Sequence, residues 1–203
     1  MVETVNVYDQ IKKFYTSIVP SITENEWAVL QEKFTVQQLK KGDSLVRSGE
    51  ICRQVSFMNK GLVRMFYRVN GKEICTAFMA ENEYTSQYDS FLTQQPSAGD
   101  IDVLEDCECV NLSYHDLQVL YETSPSFEKA GRKIAEMLFI MVAGQTDSLL
   151  TQTPEQRYSS LLQHQPYIIQ RVPQYMVASF IGITPEHLSR LRKKMSAGKQ
   201  KAY

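Results

Sequence analysis

RVPQYMVASFIGITPEHLSRLRKKM, residues Arg171 to Met195, is the stretch from which the whole chain is best read. From Gln174 to Ile181 the apolar side chains Tyr175, Val177, Ala178 and Ile181 fall near helical spacing, and the run stops at Gly182. A glycine there takes a positive φ without strain, so it can end one helix and turn the chain sharply. Two residues on, Thr184 offers a hydroxyl for an N-cap and Pro185 a ring for the first helical position. The second helix carries Leu188, Leu191 and Met195 in one apolar stripe that packs on the first. Glu186, His187, Arg190, Lys193 and Lys194 lie on its other face, and Ala178 is small where the helices approach. Two short helices joined in this way form a helix-turn-helix. An ordinary helical hairpin with a solvated basic face fits the same residues.

Charge separates the two readings. Residues 151–203 hold eight Lys or Arg against two acids, whereas residues 1–150 hold fourteen against twenty-one, so the overall charge of −1 hides two segments of opposite sign. A basic C-terminal module on an acidic body suits double-stranded DNA, because cations that displace phosphate counterions supply most sequence-independent affinity. In a helix-turn-helix the N-terminal part of the second helix enters the major groove.

A chain of 203 residues with 43% hydrophobic content can bury a medium domain and a small one. No run approaches eighteen consecutive apolar residues, and Glu3, Asn6 and Asp9 do not fit a signal peptide. The expectation is a cytoplasmic protein with no membrane partner. Cys52, Cys75, Cys107 and Cys109 are too scattered for a disulfide framework. Cys107 and Cys109, two apart in a strand, point to one face as small buried thiols. A metal or iron-sulfur centre needs more ligands, and His115 is the only histidine in the first 150 residues.

Residues 3–34 read as helical, with Val7, Ile11, Phe14, Tyr15 and Ile18 on one face and a break at Pro20. Thr23 caps a second helix carrying Trp27, Leu30 and Phe34. From Val36 to Leu112 short strands alternate with the turns Lys41-Gly42-Asp43, Ser48-Gly49-Glu50, Asn59-Lys60-Gly61 and Asn70-Gly71, which predicts a β-sandwich or barrel. Residues 101–112 give the last strand. A long helix follows from Ser126 to Leu150, with Ile134, Met137, Leu138, Met141, Val142 and Leu149 along a wide apolar stripe. That stripe packs either on its own barrel or on the same helix of a second copy, and a dimer reading two half-sites favours the second. Thr153-Pro154-Glu155-Gln156 is a capping box that starts another helix, ending before Pro166.

With these residues in place the chain resembles the cyclic-AMP receptor and fumarate-nitrate regulator (Crp/Fnr) family of transcription factors. Gly42-Asp43, Gly49-Glu50 and Gly61 stand at the family's β-roll turns, followed by the long helix and by Gly182-Ile183-Thr184-Pro185-Glu186 with Arg190. The resemblance implies an α+β fold: an N-terminal β-roll (a double-stranded β-helix of jelly-roll type) with flanking helices, a long dimerisation helix and a C-terminal winged helix-turn-helix. The corresponding division is 1–125 for the sensor roll, 126–152 for the dimerisation helix and linker, and 153–203 for DNA binding. It further implies a homodimer that recruits or blocks RNA polymerase. Little sequence follows Met195, so any wing has to come mainly from residues 166–173.

Family members that bind a cyclic nucleotide hold its ribose with a glutamate and its phosphate with an arginine beside a serine. Here the matching stretch places Gln87 at the glutamate and Ser97 at the arginine, and the pocket candidates become Gln87, Tyr88, Ser97 and Ala98. From Glu73 to Glu128 there are twelve acids and no Lys or Arg. A buried phosphate without a cation faces a large desolvation cost, so cyclic AMP and cyclic GMP are disfavoured and no cofactor is expected. Arg53, Arg64 and Arg68 are the cations within reach. No cysteine precedes Cys52, which argues against the cluster chemistry of the fumarate-nitrate branch.

On the reading helix, Glu186 and Arg190 are expected at base edges, as the resemblance also implies. Glutamate accepts from cytosine N4 and arginine donates twice to guanine, each contributing roughly 1 to 3 kcal/mol of discrimination. Four residues apart, they also suit a surface pair with each other. His187 and Ser189 are further contacts, while Gln174, Thr184, Lys193, Lys194, Lys199 and Lys201 are assigned to phosphates. Two rivals stand beside this reading. One is a small-molecule-binding β-roll that never meets DNA. The other is a cupin-like enzyme, which needs two or three histidines and a carboxylate on a metal, where the barrel region offers one histidine.

Overall fold

The computed structural model describes residues 6–200, with side chains through Ser196, so the expected contact of Lys201 and the side chain of Lys199 lie outside the described residues, as does Glu3. The chain divides into two compact units: residues up to Phe66 together with Phe78–Leu138, and Tyr67–Ala77 together with the residues from Phe139 onward.

The first unit opens with α1 (Asp9–Ile18) and α2 (Glu24–Glu32). Thr23 and Glu26 close the start of α2 reciprocally: the Thr23 hydroxyl accepts from the Glu26 N–H at 3.2 Å, and the Glu26 carboxylate accepts from the Thr23 N–H at 2.9 Å. Phe34, expected on this helix, instead begins β1 (Phe34–Leu39), where it pairs opposite Leu112 and its ring meets those of Tyr15 and Trp27. Aromatic packing from a strand outweighs the helical spacing of one residue.

The strands continue as β2 (Ser44–Val46), β3 (Gln54–Lys60), β4 (Val63–Val69), β5 (Lys72–Met79) and β6 (Tyr84–Thr85), then α3 (Tyr88–Thr93), β7 (Asp100–Val103) and β8 (Cys107–Ser113). They form two four-stranded sheets, β1-β8-β3-β6 and β2-β7-β4-β5. The expected single strand 101–112 is therefore two strands in different sheets. The break at residues 104–106 is held where the N–H groups of Leu104 and Glu105 both donate to the Leu62 carbonyl. Asn70 and Gly71 both take positive φ (50° and 75°), as their hairpin turn demands. Gly61 has φ 97°, and a Cβ there would lie 2.5 Å from Cys107 Sγ, so only glycine fits.

Ile11, Tyr15, Trp27, Leu30, Phe57, Val110, Leu112, Leu120 and Phe127 build one core between the entry helices, the first sheet and the helices that follow it. These are α4 (Tyr114–Thr123), capped by Ser113, and α5 (Pro125–Thr151). All four cysteines are free and buried; burial pushes the Cys107 thiol up to about 11 and the Cys109 thiol up to about 12, leaving them protonated and inert.

The second unit takes the tip of the β4–β5 hairpin, the second half of α5, and then α6 (Pro154–His164), α7 (Pro166–Arg171), α8 (Gln174–Phe180) and α9 (Pro185–Gln200). Its core includes Tyr158, Leu161, Ile168, Met176, Val177, Ala178, Ile181, Leu188 and Leu191. The wing expected from residues 166–173 is absent: Pro166 starts α7 and buries Ile168, so this stretch is helical and no strand follows α8 among the described residues.

Candidate nucleic-acid interface and effector pocket

The turn between α8 and α9 is built from backbone. Gly182 has φ 72°; its N–H donates to the Ser179 carbonyl at 3.0 Å and the Ile183 N–H reaches back to the Ala178 carbonyl at 2.9 Å. This pair of bonds is the Schellman ending of a helix, and it satisfies carbonyls that the last turn leaves over. Thr184 then starts α9, its hydroxyl accepting from the His187 N–H at 3.2 Å.

Leu188 and Leu191 are buried and Met195 is half-buried, as the stripe required. At 100° per residue, Glu186, Arg190 and Lys193 fall on the ridge diametrically opposite, and all three are exposed. Ser189 is exposed beside them, whereas His187 is half-buried on the flank. The Glu186 carboxyl is held below the usual carboxylate range by its own backbone N–H at the helix start, then by the Thr184 hydroxyl and the Arg190 charge. It is an acceptor at neutral pH. Gln174 is exposed at the first residue of α8.

Lys194, assigned to phosphate, is exposed and has Glu155 of α6 at 3.9 Å. One expectation on this surface changes. Tyr175, placed on the packed face of α8, is 56% exposed, and Met176 takes the buried position instead. The spacing alone cannot tell which of two adjacent apolar residues points inward on a helix of two turns. Sequence reading also missed Arg157 on α6, whose Nε donates to the Ile181 carbonyl at 2.8 Å and whose Nη1 donates to the Gln152 carbonyl at 2.5 Å. Its only signal was its place in the first turn after the Thr153 capping box.

In the roll, Gln87 and Ser97 are buried at 2% and 3% exposure, Tyr88 is half-buried and Ala98 is exposed. Gln87 Nε2 donates to the Asp100 carbonyl at 3.2 Å. Ser97 Oγ donates to the Gly99 carbonyl at 2.8 Å and accepts the Gly99 N–H at 3.1 Å. Tyr88 stacks on Phe91, and burial raises its phenol. Among the cations considered for a phosphate, Arg64 pairs with Asp102 at 3.0 Å and lies 4.0 Å over the Phe66 ring, while Arg53 is exposed. The four pocket candidates begin or flank α3, and the polar side-chain atoms of Gln87 and Ser97 bond to the protein's own backbone.

Residues 36–124 match the family model of the cyclic nucleotide-binding domain. No curated protein sequence matches the chain. Among solved structures, the chain is similar to a protein of Eubacterium rectale assigned to the Crp/Fnr family of transcriptional regulators, at 13% identity and TM-score 0.69, covering 91% of this chain and 88% of that one. FixK2 of Bradyrhizobium japonicum superposes at TM-score 0.68 with 13% identity over 82% of this chain and 86% of its own. The c-di-GMP-responsive global regulator CLP of Xanthomonas campestris does so at 0.66 with 17% identity, covering 87% and 93%. Residues 36–124 are thus similar to the cyclic nucleotide-binding domain, and the chain shares its fold with solved structures of Crp/Fnr-type regulators.

Proposed function

We propose that this protein is a sequence-specific DNA-binding transcription regulator that acts as a homodimer on a palindromic site and contacts RNA polymerase there. The observation that carries the reading is the ridge of Glu186, Arg190 and Lys193 on α9, exposed along its length and opposite the buried Leu188 and Leu191. An acceptor followed by a bidentate donor one turn on suits a C·G step in the major groove, with Lys193 on the phosphates. Gln174 and Thr184 sit at the starts of α8 and α9, where backbone phosphates pass.

A second copy covers α5. Phe139, Ile140 and Leu150 are 73%, 69% and 79% exposed, and residues 137–146 contain no charge. By length and composition α5 is apolar enough to cross a membrane. Its uncharged run, however, spans only about 15 Å at the helical rise, half of the ~30 Å hydrocarbon core. Arg132, Lys133 and Glu136 bound that run on one side and Asp147 on the other. The partner of the same sequence meets the stripe without burying those charges. The roll works without cyclic AMP or cyclic GMP, a reading supported by Gln87 and Ser97 bonding to the protein's own backbone and by Arg64 pairing with Asp102.

The test is a retardation assay on mixed genomic duplex fragments at low salt, with the protein's mass measured by sedimentation. Shifted fragments and a dimer are expected. A protein that shifts no fragment is a β-roll binding module and not a DNA reader.

A further inference from the structure

The C-terminal end of a helix leaves carbonyls without intrahelical partners and carries partial negative charge. In the second unit one guanidinium serves two such ends. α5 finishes at Thr151, and the Gln152 carbonyl just beyond accepts from Arg157 Nη1 at 2.5 Å. α8 finishes at Phe180, and the carbonyl of its cap, Ile181, accepts from Arg157 Nε at 2.8 Å. Arg157 is itself fixed. Its N–H donates to the Thr153 carbonyl at 3.0 Å in a first turn held by the Thr153–Gln156 capping box. The glycine turn closes the arrangement, since a Cβ on Gly182 would lie 3.5 Å from Leu149 of α5 and 3.8 Å from Arg157 Nη2.

We propose that Arg157 is a positioning residue for DNA reading: it pins the turn of the helix-turn-helix to the end of α5, so that the direction of α9 is set by the helix that pairs the two copies. The inference rests on the dimeric DNA-reading function above. Arginine suits the task because its rigid fork presents several donors in fixed directions and reaches two carbonyls at once, which a lysine ammonium on a flexible stem does not. Without the pin, the covalent joint at Gln152 and Thr153 keeps two soft dihedrals per residue. The reading heads then swing relative to each other while each keeps its own fold.

This has a consequence that a purely structural role lacks. Adding one base pair between two half-sites rotates one of them by about 34 to 36° around the duplex. A pinned dimer cannot follow that rotation, and an unpinned one can. The experiment first selects the preferred duplex from a random-sequence library with the full-length wild-type protein. It then measures binding of wild type, Arg157→Ala and Arg157→Lys to the same half-sites with one or two base pairs inserted or deleted between them, alongside thermal melts.

Wild type is expected to lose about tenfold in affinity or more for a one-base-pair change in spacing. Arg157→Ala should bind all spacings within about threefold of one another, with the salt slope unchanged because no phosphate contact is lost. Arg157→Lys should fall between them. Variants that stay folded and keep the sharp wild-type spacing preference overturn the pin while leaving the DNA-reading function intact. Variants that both lose the folded C-terminal helices also overturn it, since the residue then serves stability. A wild-type protein that selects no duplex sinks the DNA-reading function itself, and the pin with it.

Discussion

Gln87 Nε2 donates to the backbone carbonyl of Asp100 at 3.2 Å, from a side chain that is 2% exposed. A Cβ on Gly99 would lie 2.6 Å from that same nitrogen, so the amide occupies the space that a side chain at position 99 would need. In the proposed nucleotide-independent roll, a nucleotide would have to break this bond and the Ser97–Gly99 pair. Cyclic AMP or cyclic GMP at about 1 mM should therefore move the melting midpoint by less than about 1 °C. A ligand present at a hundred times its Kd would instead add about 2.7 kcal/mol, several degrees at this size. A shift of that order in differential scanning fluorimetry would contradict the proposed nucleotide-independent roll.

Arg190 and Lys193 share a ridge of α9 but are given different work. Arg190→Ala should flatten preference among duplex sequences, costing roughly 1 to 3 kcal/mol on the preferred site and little on others. Lys193→Ala should weaken all sequences alike and reduce the slope of log affinity against log salt by about 1. Fluorescence anisotropy titrations on preferred and scrambled duplexes separate the two. An Arg190→Ala variant with the wild-type order of preference would remove Arg190 from the base edges.

Gly131 lies within α5, where alanine would ordinarily stabilise the helix by up to about 1 kcal/mol. A Cβ there would meet Tyr121 Oη at 2.0 Å, and burial already pushes the Tyr121 phenol up to about 12. The clash should reverse the sign. Gly131→Ala is expected to destabilise by about 1 to 3 kcal/mol in urea unfolding. A variant more stable than wild type would mean that Tyr121 moves aside freely.

Glu26 accepts from Ser124 Oγ at 2.6 Å as well as from the Thr23 N–H. The Ser124 hydroxyl first, then the Thr23 N–H and the Ser126 hydroxyl, lower its carboxyl to about 2. A carboxylate lowered on folding contributes stability above its unfolded pKa, and the contribution drains away as pH falls from about 5 toward 2. Solvent around this half-exposed group limits the contribution to about 1 kcal/mol. Glu26→Gln should be less stable at neutral pH and should show a shallower loss over that acid range. Parallel curves for the two proteins would place the acid sensitivity elsewhere.

Local rules carried much of the fold. The positive-φ turns at Gly42, Gly49, Gly61 and Asn70-Gly71, the Thr23 and Thr153 capping boxes and the Gly182 turn appear where single residues demand them. Each depends on one backbone conformation or one side chain reaching three residues along, so a linear chain displays it. The ridge of Glu186, Arg190 and Lys193 was legible for the same reason, because helical spacing fixes which residues share a face.

Contacts between distant segments were not legible. Phe34 joined a strand because Leu112, Tyr15 and Trp27 meet it there, and residues 101–112 split because the Leu62 carbonyl holds the break. The wing gave way to α7 because Ile168 found a buried place in a helix. Arg157 meets Ile181 twenty-four residues away, and Gln87 meets the Asp100 carbonyl thirteen away, through bonds to backbone that carry no residue code. Periodicity and turn chemistry are properties of neighbours along the chain and can be read there. Which carbonyl a half-buried guanidinium or a buried amide satisfies depends on the packing of whole elements, and that is settled when the chain has folded.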